Sequence, residues 1–341
     1  MMSINHRWRE KRLHKNFRWL DFKITNRCNN NCVYCQGEND PPSASEELSF
    51  KVIKNTLEDA LEANFNYICF LGGEPSIRED ITEIIKVVGN TSKVNLRLIT
   101  NLKIYKEEMY ETLFNTESCD AEIVASFESF SYPNYKRVDP EVSMRRIEKI
   151  NNLAKNSQEK LNYTKKRSIS LHSVVSRENF HKIGKFVELF YNKGIDISLG
   201  LVCPSIFTEN PKVYNEFQKS EIQVIIDQLN ELELEGKLNF ANKVLRDFLK
   251  IYTFGDFSHR ADCWAGKKQV IINSDGQVFP CISESYLTSN NYGNIKEERF
   301  SAILKRLETF PCSLPPNSSC WDHFLWDRLA KKIEEGEKSE T

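Results

Sequence analysis

Between residues 19 and 202 one pattern recurs six times. Apolar, strand-like runs at 19–25, 66–71, 94–100, 121–127, 168–175 and 195–202 alternate with stretches of helical spacing. Phe50, Ile53, Leu57 and Leu61 share one helical face, as do Ile81, Ile84, Ile85 and Val88, and Phe180, Ile183, Val187 and Phe190. Ser49 is placed to cap the first of these helices with its hydroxyl. Six strand-then-helix units require a parallel sheet with helices outside it, because parallel neighbours need a crossover. Right-handed crossovers curl such units into an open α/β barrel, here a six-unit partial (β/α)6, TIM-like barrel. In barrels of this kind the chemistry gathers at the C-terminal ends of the strands.

The strand ends carry the chemistry-bearing residues. Strand one leads into Cys28-Asn29-Asn30-Asn31-Cys32-Val33-Tyr34-Cys35, three thiols within eight residues. No disulfide scheme uses thiols so close together, but one loop can turn them inward to share a metal. Four thiolates suit zinc or an ordinary iron–sulfur cluster; three hold a four-iron cluster by three corners and leave one iron open to a small ligand. The competing readings are a zinc site and three unrelated buried cysteines, although no Cys or His between Cys35 and Cys69 offers zinc a fourth ligand. Strand two ends in Gly72-Gly73-Glu74-Pro75, strand three in Thr100-Asn101, and strand four in Ser126, with Glu128 two residues on. All would meet at one mouth. His172 is a weaker candidate there, since a lone His is more often structural.

With 47 basic and 48 acidic residues, no bulk charge points to nucleic acid or a membrane surface. No run of 18 apolar residues predicts a membrane span, and the N-terminus does not read as a signal peptide. Ten cysteines in such a chain argue for metal binding over disulfides and for a cytoplasmic location. Residues 1–18 form a basic arm, read as a solvated helix or tail or as a dock for an acidic partner. Residues 206–258 read as a helical bridge, with Ile222, Ile225, Ile226 and Leu229, then Val244, Leu245, Phe248 and Leu249, on two amphipathic helices. Residues 326–341 are a charged tail.

Residues 259–325 change character. Two short strands around Ser274-Asp275-Gly276 predict a hairpin, which would bring Cys263 and Cys281 close. Cys312 and Cys320 follow in a proline-rich loop. Four cysteines can close a metal site, and local chemistry alone would favour structural zinc.

The Cys-x3-Cys-x2-Cys run with Tyr34 before its third cysteine, followed by Gly72-Gly73-Glu74-Pro75 after a second strand, resembles the signature of radical S-adenosylmethionine (radical SAM) enzymes over residues 19–205. The spacing Cys263-x12-Gly276-x4-Cys281 is similar to the opening of a SPASM or twitch domain. With only Cys312 and Cys320 beyond it, the likeness is to the shorter twitch form, in residues 259–325. The resemblance implies a four-iron (4Fe-4S) cluster on Cys28, Cys32 and Cys35 and an auxiliary 4Fe-4S cluster on Cys263, Cys281, Cys312 and Cys320. It also implies S-adenosyl-L-methionine as a cofactor, cleaved reductively to a 5′-deoxyadenosyl radical that takes a hydrogen from substrate. Tyr34 would lie against adenine, and backbone at Gly72 and Gly73 would meet the methionine ammonium, with Glu74 adding charge. Ser126 and Arg137 would reach the carboxylate, with Glu128, Thr100 and Asn101 lining the mouth. An electron donor such as flavodoxin or ferredoxin is implied as a partner.

For substrate, the leading expectation is a ribosomally made peptide or protein, oxidised, cross-linked or epimerised. The alternative is a radical dehydrogenase or epimerase acting on a carbohydrate, aminoglycoside or related small molecule; a reading of another class is a non-catalytic, zinc-stabilised binding module. Cys203, at the end of the sixth strand before Pro204, is the candidate hydrogen donor, against the plainer reading of a small buried hydrophobe. Cys69, inside a strand, and Cys119, in a loop, are weaker candidates.

Overall fold

The computed structural model describes residues 17–30, 32, 35, 47–91, 93–118, 120–127, 139–161, 165–201, 217–254, 265–281, 284–285 and 292–309. The basic arm before Phe17, the charged tail, Tyr34, Cys119, Glu128, Arg137, Cys203, Cys263, Cys312 and Cys320 lie outside them. The chain divides into two compact units, Asn16–Ser170 with Ala265–Cys312, and a second that includes Leu171–Trp264.

In the first unit the expected alternation is present: β1 (Trp19–Thr25), α1 (Phe50–Glu62), β2 (Tyr67–Gly72), α2 (Ile81–Gly89), β3 (Asn95–Thr100), α3 (Glu107–Phe114), β4 (Asp120–Ser126) and α4 (Pro140–Lys160). β1 to β4 are neighbours in chain order and every pairing is parallel. One side of these strands is apolar. Leu20, Phe22, Ile24, Ile68, Phe70, Leu96, Leu98 and Ile123 are fully buried, as are the helical residues Ile53, Leu57, Ile84, Ile85, Val88, Met109 and Leu113. Burying each such side chain stabilises the fold by roughly 1.5–3 kcal/mol.

The opposite side carries a polar row. Register aligns Asp21 with Cys69, Cys69 with Arg97, and Arg97 with Glu122. Asp21 accepts from the Trp19 indole at 2.7 Å and from the Gln269 amide at 3.0 Å. Arg97 donates twice to Glu122, at 2.9 and 2.6 Å, and Ser170 donates to the other Glu122 oxygen at 2.6 Å. Burial works against the Arg97 charge, but Glu122 outweighs it and holds the guanidinium protonated more firmly than usual. The row fixes the strands laterally below the level of the cysteine loop.

Ser49 caps α1 as expected, accepting from Val52 N at 3.4 Å. The buried face of α1 is turned from the one predicted. Ile53, Thr56, Leu57, Asp59 and Ala60 are buried, Leu61 is half-buried and Phe50 is exposed. Asp59, on the buried face, accepts from the Arg299 guanidinium and, at 3.2 Å, from Ser301 N of α8 (Phe300–Leu307), a long-range pair that compensates its burial.

The hairpin around Ser274-Asp275-Gly276 forms, with β7 (Gln269–Ile272) antiparallel to β8 (Val278–Phe279). Gly276 has φ +92°, and a Cβ there would stand 2.4 Å from Asn294 Oδ1, so the turn needs glycine. Hairpin signals do not reveal that β7 also pairs in parallel with β1, Trp19 opposite Gln269 through Phe22 opposite Ile272.

β5 (Lys166–Val175) runs from the first unit into the second, which continues with α5 (Ile183–Asn192), β6 (Asp196–Leu201), α6 (Lys219–Leu234) and α7 (Phe240–Phe254). Phe180, expected on the α5 face, sits instead in a preceding 3-10 turn, Phe180–Lys182. Both helices predicted from the bridge are present, with Ile222, Ile225, Ile226, Leu229, Val244, Leu245 and Leu249 buried. Among the described residues no helix is long and apolar enough to cross a membrane.

Candidate active site at the strand ends

The cysteine loop leaves β1 at Thr25. The Thr25 hydroxyl bonds Glu47 and accepts from Arg27 N at 3.0 Å, and the Arg27 guanidinium donates to both Glu47 oxygens at 3.0 Å. Arg78 lies 3.6 Å from the same carboxylate and donates to the carbonyls of Ile24 and Leu48. These contacts fix the root of the loop. Along it, Cys28 and Cys35 are exposed, Cys32 is half-buried, and none of the three is in a disulfide. Cys35 N donates to Cys32 O at 2.9 Å, and Asn30 N to the Cys28 sulfur at 3.4 Å. Although Cys28 reaches solvent, the protein packed around its sulfur partly desolvates it and pushes the thiol up; the Asn30 amide works against that, and the charges of Glu74, Cys32 and Cys35 add to the rise.

The two glycines at the C-terminal end of β2, Gly72 within it and Gly73 after it, exist for chain approach. Gly73 N donates to Thr25 O and Glu74 N to Arg27 O, both at 2.8 Å. A Cβ on Gly72, whose φ is +152°, would fall 2.1 Å from Thr25 O, and one on Gly73 would fall 2.3 Å from Arg27 O. The Gly-Gly turn is thus laced to the first residues of the cysteine loop.

Glu74 is completely buried. One carboxylate oxygen accepts from Ser76 N at 3.0 Å and from the Thr100 hydroxyl at 2.8 Å; the other accepts from Asn101 N at 2.6 Å. Three donors from the chain itself compensate the buried charge. Asn101 in turn reaches back to the cysteine loop, its amide nitrogen 2.8 Å from Asn29 Oδ1 and 3.8 Å from the Cys28 sulfur. Lys103 Nζ donates to Asn29 O, and Arg146 of α4 donates to the carbonyls of Leu102 and Lys103. Leu102 has φ +59°, a left-handed conformation held by these bonds.

The structure therefore brings Cys28, Gly72, Gly73, Glu74, Thr100 and Asn101 together. Ser126 ends β4 half-buried. Cys281 directly follows the hairpin, buried, and its sulfur accepts from Glu284 N at 3.4 Å. Cys69 is buried within β2. In the second unit His172 lies 3.1 Å from Ser198 Oγ, and a Cβ on Gly200 would be 2.9 Å from the His172 ring. Asn29, Glu47, Arg78, Lys103 and Arg146 were not singled out in the sequence, since single polar residues in loops carry no periodic or motif signal.

Three thiols on one loop beside these strand ends are a donor set of the kind an iron–sulfur cofactor takes, and comparison with known proteins gives the family. Residues 22–190 match the radical SAM superfamily and residues 263–322 match an iron–sulfur cluster-binding (SPASM) domain. The chain belongs to the radical SAM enzymes and carries a C-terminal SPASM/twitch-like domain. It is 27% identical to a GTP 3′,8-cyclase of Clostridium botulinum over 308 residues, 86% of this chain and 90% of the relative. The fold is similar to that of Streptococcus suis SuiB bound to precursor peptide SuiA, with TM-score 0.63 and 16% identity over 88% of this chain and 68% of that one. It is also similar to native anSMEcpe with bound AdoMet and Cp18Cys peptide, with TM-score 0.59 and 17% identity over 86% and 80%. The likeness bears out the mixed α/β, partial-barrel fold class.

The cofactors are accordingly S-adenosylmethionine, a four-iron cluster and auxiliary iron–sulfur binding in the SPASM-type domain. The barrel loop's donor set fits a cluster. It offers three cysteine thiols outside any disulfide and two N–H donors toward Cys28. Among the described residues no three His, Cys, Asp or Glu side chains converge as for a single metal ion. A four-iron cluster is wider than one ion and takes each thiolate on a separate iron, so such convergence is not needed.

Proposed function

We propose that this enzyme modifies a ribosomally made peptide or protein. The supporting observation is the fold it shares with SuiB and anSMEcpe, both solved with peptide bound. In this reading residues 19–205 form the catalytic barrel, 206–258 a helical bridge and 259–325 the auxiliary-cluster domain.

S-adenosylmethionine on a reduced four-iron cluster supplies one-electron, hydrogen-abstracting chemistry. The chain's own part is to bind and orient. Cys28, Cys32 and Cys35 hold the cluster. Backbone at Gly72 and Gly73 approaches the methionine end, while Ser126 and Arg137 bind its carboxylate, with Glu128 beside them and Tyr34 against adenine. Glu74 and Thr100, whose polar atoms bond one another, set the shape of the turn that presents that backbone. Cys203, two residues beyond the last residue of β6 in sequence, returns a hydrogen atom to the substrate carbon if the product is an epimer; the sulfur radical left behind is restored by one electron and one proton. Cys263, Cys281, Cys312 and Cys320 hold the auxiliary cluster, and a flavodoxin or ferredoxin supplies electrons.

A small-molecule substrate is the second reading, favoured by the 27% identity to a GTP 3′,8-cyclase across most of both chains. One experiment separates the two. Anaerobically purified protein, brown and holding about eight iron and eight sulfide per chain with both clusters filled, is incubated with S-adenosylmethionine, dithionite and either peptides encoded beside its gene or a panel of nucleotides and sugars. Peptide-dependent 5′-deoxyadenosine with a mass change on the peptide supports the first reading; turnover on the small molecules alone overturns it. Colourless, zinc-loaded protein would count against both. Product formed in deuterated water should carry deuterium at one inverted carbon, and Cys203→Ala should lose it.

A further inference from the structure

We propose that Asn101 is a positioning residue for the barrel cluster: it hydrogen-bonds the sulfur of Cys28, fixes the loop that carries it, and raises the cluster's potential. The inference rests on Cys28 being a cluster ligand and concerns what acts on that ligand from outside.

Asn101 cannot readily serve another purpose. Its two amide hydrogens meet two acceptors, Asn29 Oδ1 at 2.8 Å and Cys28 Sγ at 3.8 Å. Its Oδ1 accepts from Lys103 N at 2.8 Å, and its backbone N–H is bound by Glu74 at 2.6 Å. Turning the amide over would set oxygen against two acceptors and NH2 against a backbone donor, so the network admits one orientation. Both hydrogens are engaged within the chain, which leaves the side chain poorly placed to bind a cofactor directly.

The bonds run from rigid to less rigid. Glu74 is buried and held by three donors; it fixes Asn101, and Asn101 fixes Asn29 and Cys28. Lys103 adds a second grip on Asn29 through its carbonyl. The first cysteine of the motif is thereby tied to the ends of β2 and β3, which are far from it in sequence. Hydrogen bonds to ligand sulfur withdraw electron density and favour the reduced cluster, so an amide at Cys28 makes the one-electron reduction easier.

The test uses Asn101→Asp in the full chain with both clusters reconstituted. The change is nearly isosteric and keeps the acceptor for Lys103 N, but it replaces the NH2 facing sulfur with oxygen. Potentiometric titration follows the reduced-cluster signal that changes on adding S-adenosylmethionine, which separates the barrel cluster from the auxiliary one. The expected result is a more negative midpoint with iron content retained, and an Asn101→Ala variant shifted the same way by less. Apo Asn101→Ala should also be alkylated several-fold faster at Cys28 than apo wild type, with unchanged thermal unfolding. An unchanged midpoint in Asn101→Asp together with an unchanged alkylation rate in Asn101→Ala overturns the proposal. If wild type has no S-adenosylmethionine-responsive signal, the fault lies with the cluster assignment; if it has one and the variants match it, only the role of Asn101 fails.

Discussion

The carboxylate of Glu74 receives the backbone amide of Asn101 at 2.6 Å, joining the turn after β2 to the end of β3 across 27 positions of sequence. A glutamate in a Gly-Gly-Glu-Pro turn invites the view that its charge faces a cofactor. Its complete burial and three internal donors give it another task, holding two strand ends in fixed relation.

Glu74→Gln should therefore destabilise the protein although it keeps the size of the side chain. Glutamine offers one acceptor oxygen and an NH2, and the NH2 must face a donor that the carboxylate satisfied. Leaving a buried donor without its partner costs about 1–3 kcal/mol. Urea unfolding should show a lower midpoint and an unchanged slope. Stability equal to wild type would mean that the three contacts carry no net energy.

Gly73→Ala should act on the cysteine loop. The added methyl would fall 2.3 Å from Arg27 O and 2.6 Å from Asn26 O, both backbone atoms that cannot swing away. Overpacking of this kind costs typically about 1–3 kcal/mol, and relief requires the loop root to shift. Iron retained in the barrel site should fall relative to wild type, with the auxiliary iron retained. Full iron in both sites would show that the loop tolerates displacement at its base.

Much of the fold is legible because it rests on periodicity. The burial of Ile81, Ile84, Ile85 and Val88 follows from their spacing, and β1 begins and ends where its apolar run does. The hairpin around Gly276 was legible because its turn needs one residue type. The burial of Asp59 on α1 was not, since its partner is Arg299, 240 residues away. The parallel pairing of β7 with β1 is equally non-local. At the site, cysteine spacing and the Gly-Gly-Glu-Pro run identify the loops, but which groups hold them in place depends on Asn29, Glu47 and Lys103, which carry no signature of their own.

Cys69 should impose an alkaline limit on stability. Burial raises its thiol well above the ordinary cysteine range, with Asp21 and Glu122 adding and Arg97 opposing. The unfolded chain ionises first as pH rises, so its proton loss draws the equilibrium toward unfolding. The contribution of this thiol is full below its unfolded pKa and declines as pH climbs above that value toward the higher folded one. Unfolding of the metal-free protein, followed from pH 7 to pH 10, should show a steeper loss for wild type than for Cys69→Ala. Parallel profiles would mean that the thiol is no more buried in solution than when unfolded.

Cys281 gives the sharpest test of the second cluster. It is 3% exposed, follows directly on the hairpin that pairs with β1, and lies within residues 263–322, which match an iron–sulfur cluster-binding domain. A buried cysteine has a plainer explanation, as a small apolar side chain whose removal costs packing and nothing else. The two accounts differ in what they do to iron. As a ligand with Cys263, its replacement in a Cys263→Ala, Cys281→Ala variant should remove about half the iron, since one of two four-iron clusters goes. Cleavage of S-adenosylmethionine, measured as 5′-deoxyadenosine under dithionite, should persist at a reduced rate, because Cys28, Cys32 and Cys35 are untouched. As a packing residue, the change should lower thermal stability and leave iron at the wild-type level. That second outcome would take Cys281 out of the auxiliary site. Loss of all iron would instead mean that the barrel loop depends on the hairpin, and Cys28→Ala with Cys32→Ala and Cys35→Ala, which should retain the auxiliary half, would then show whether the dependence runs both ways.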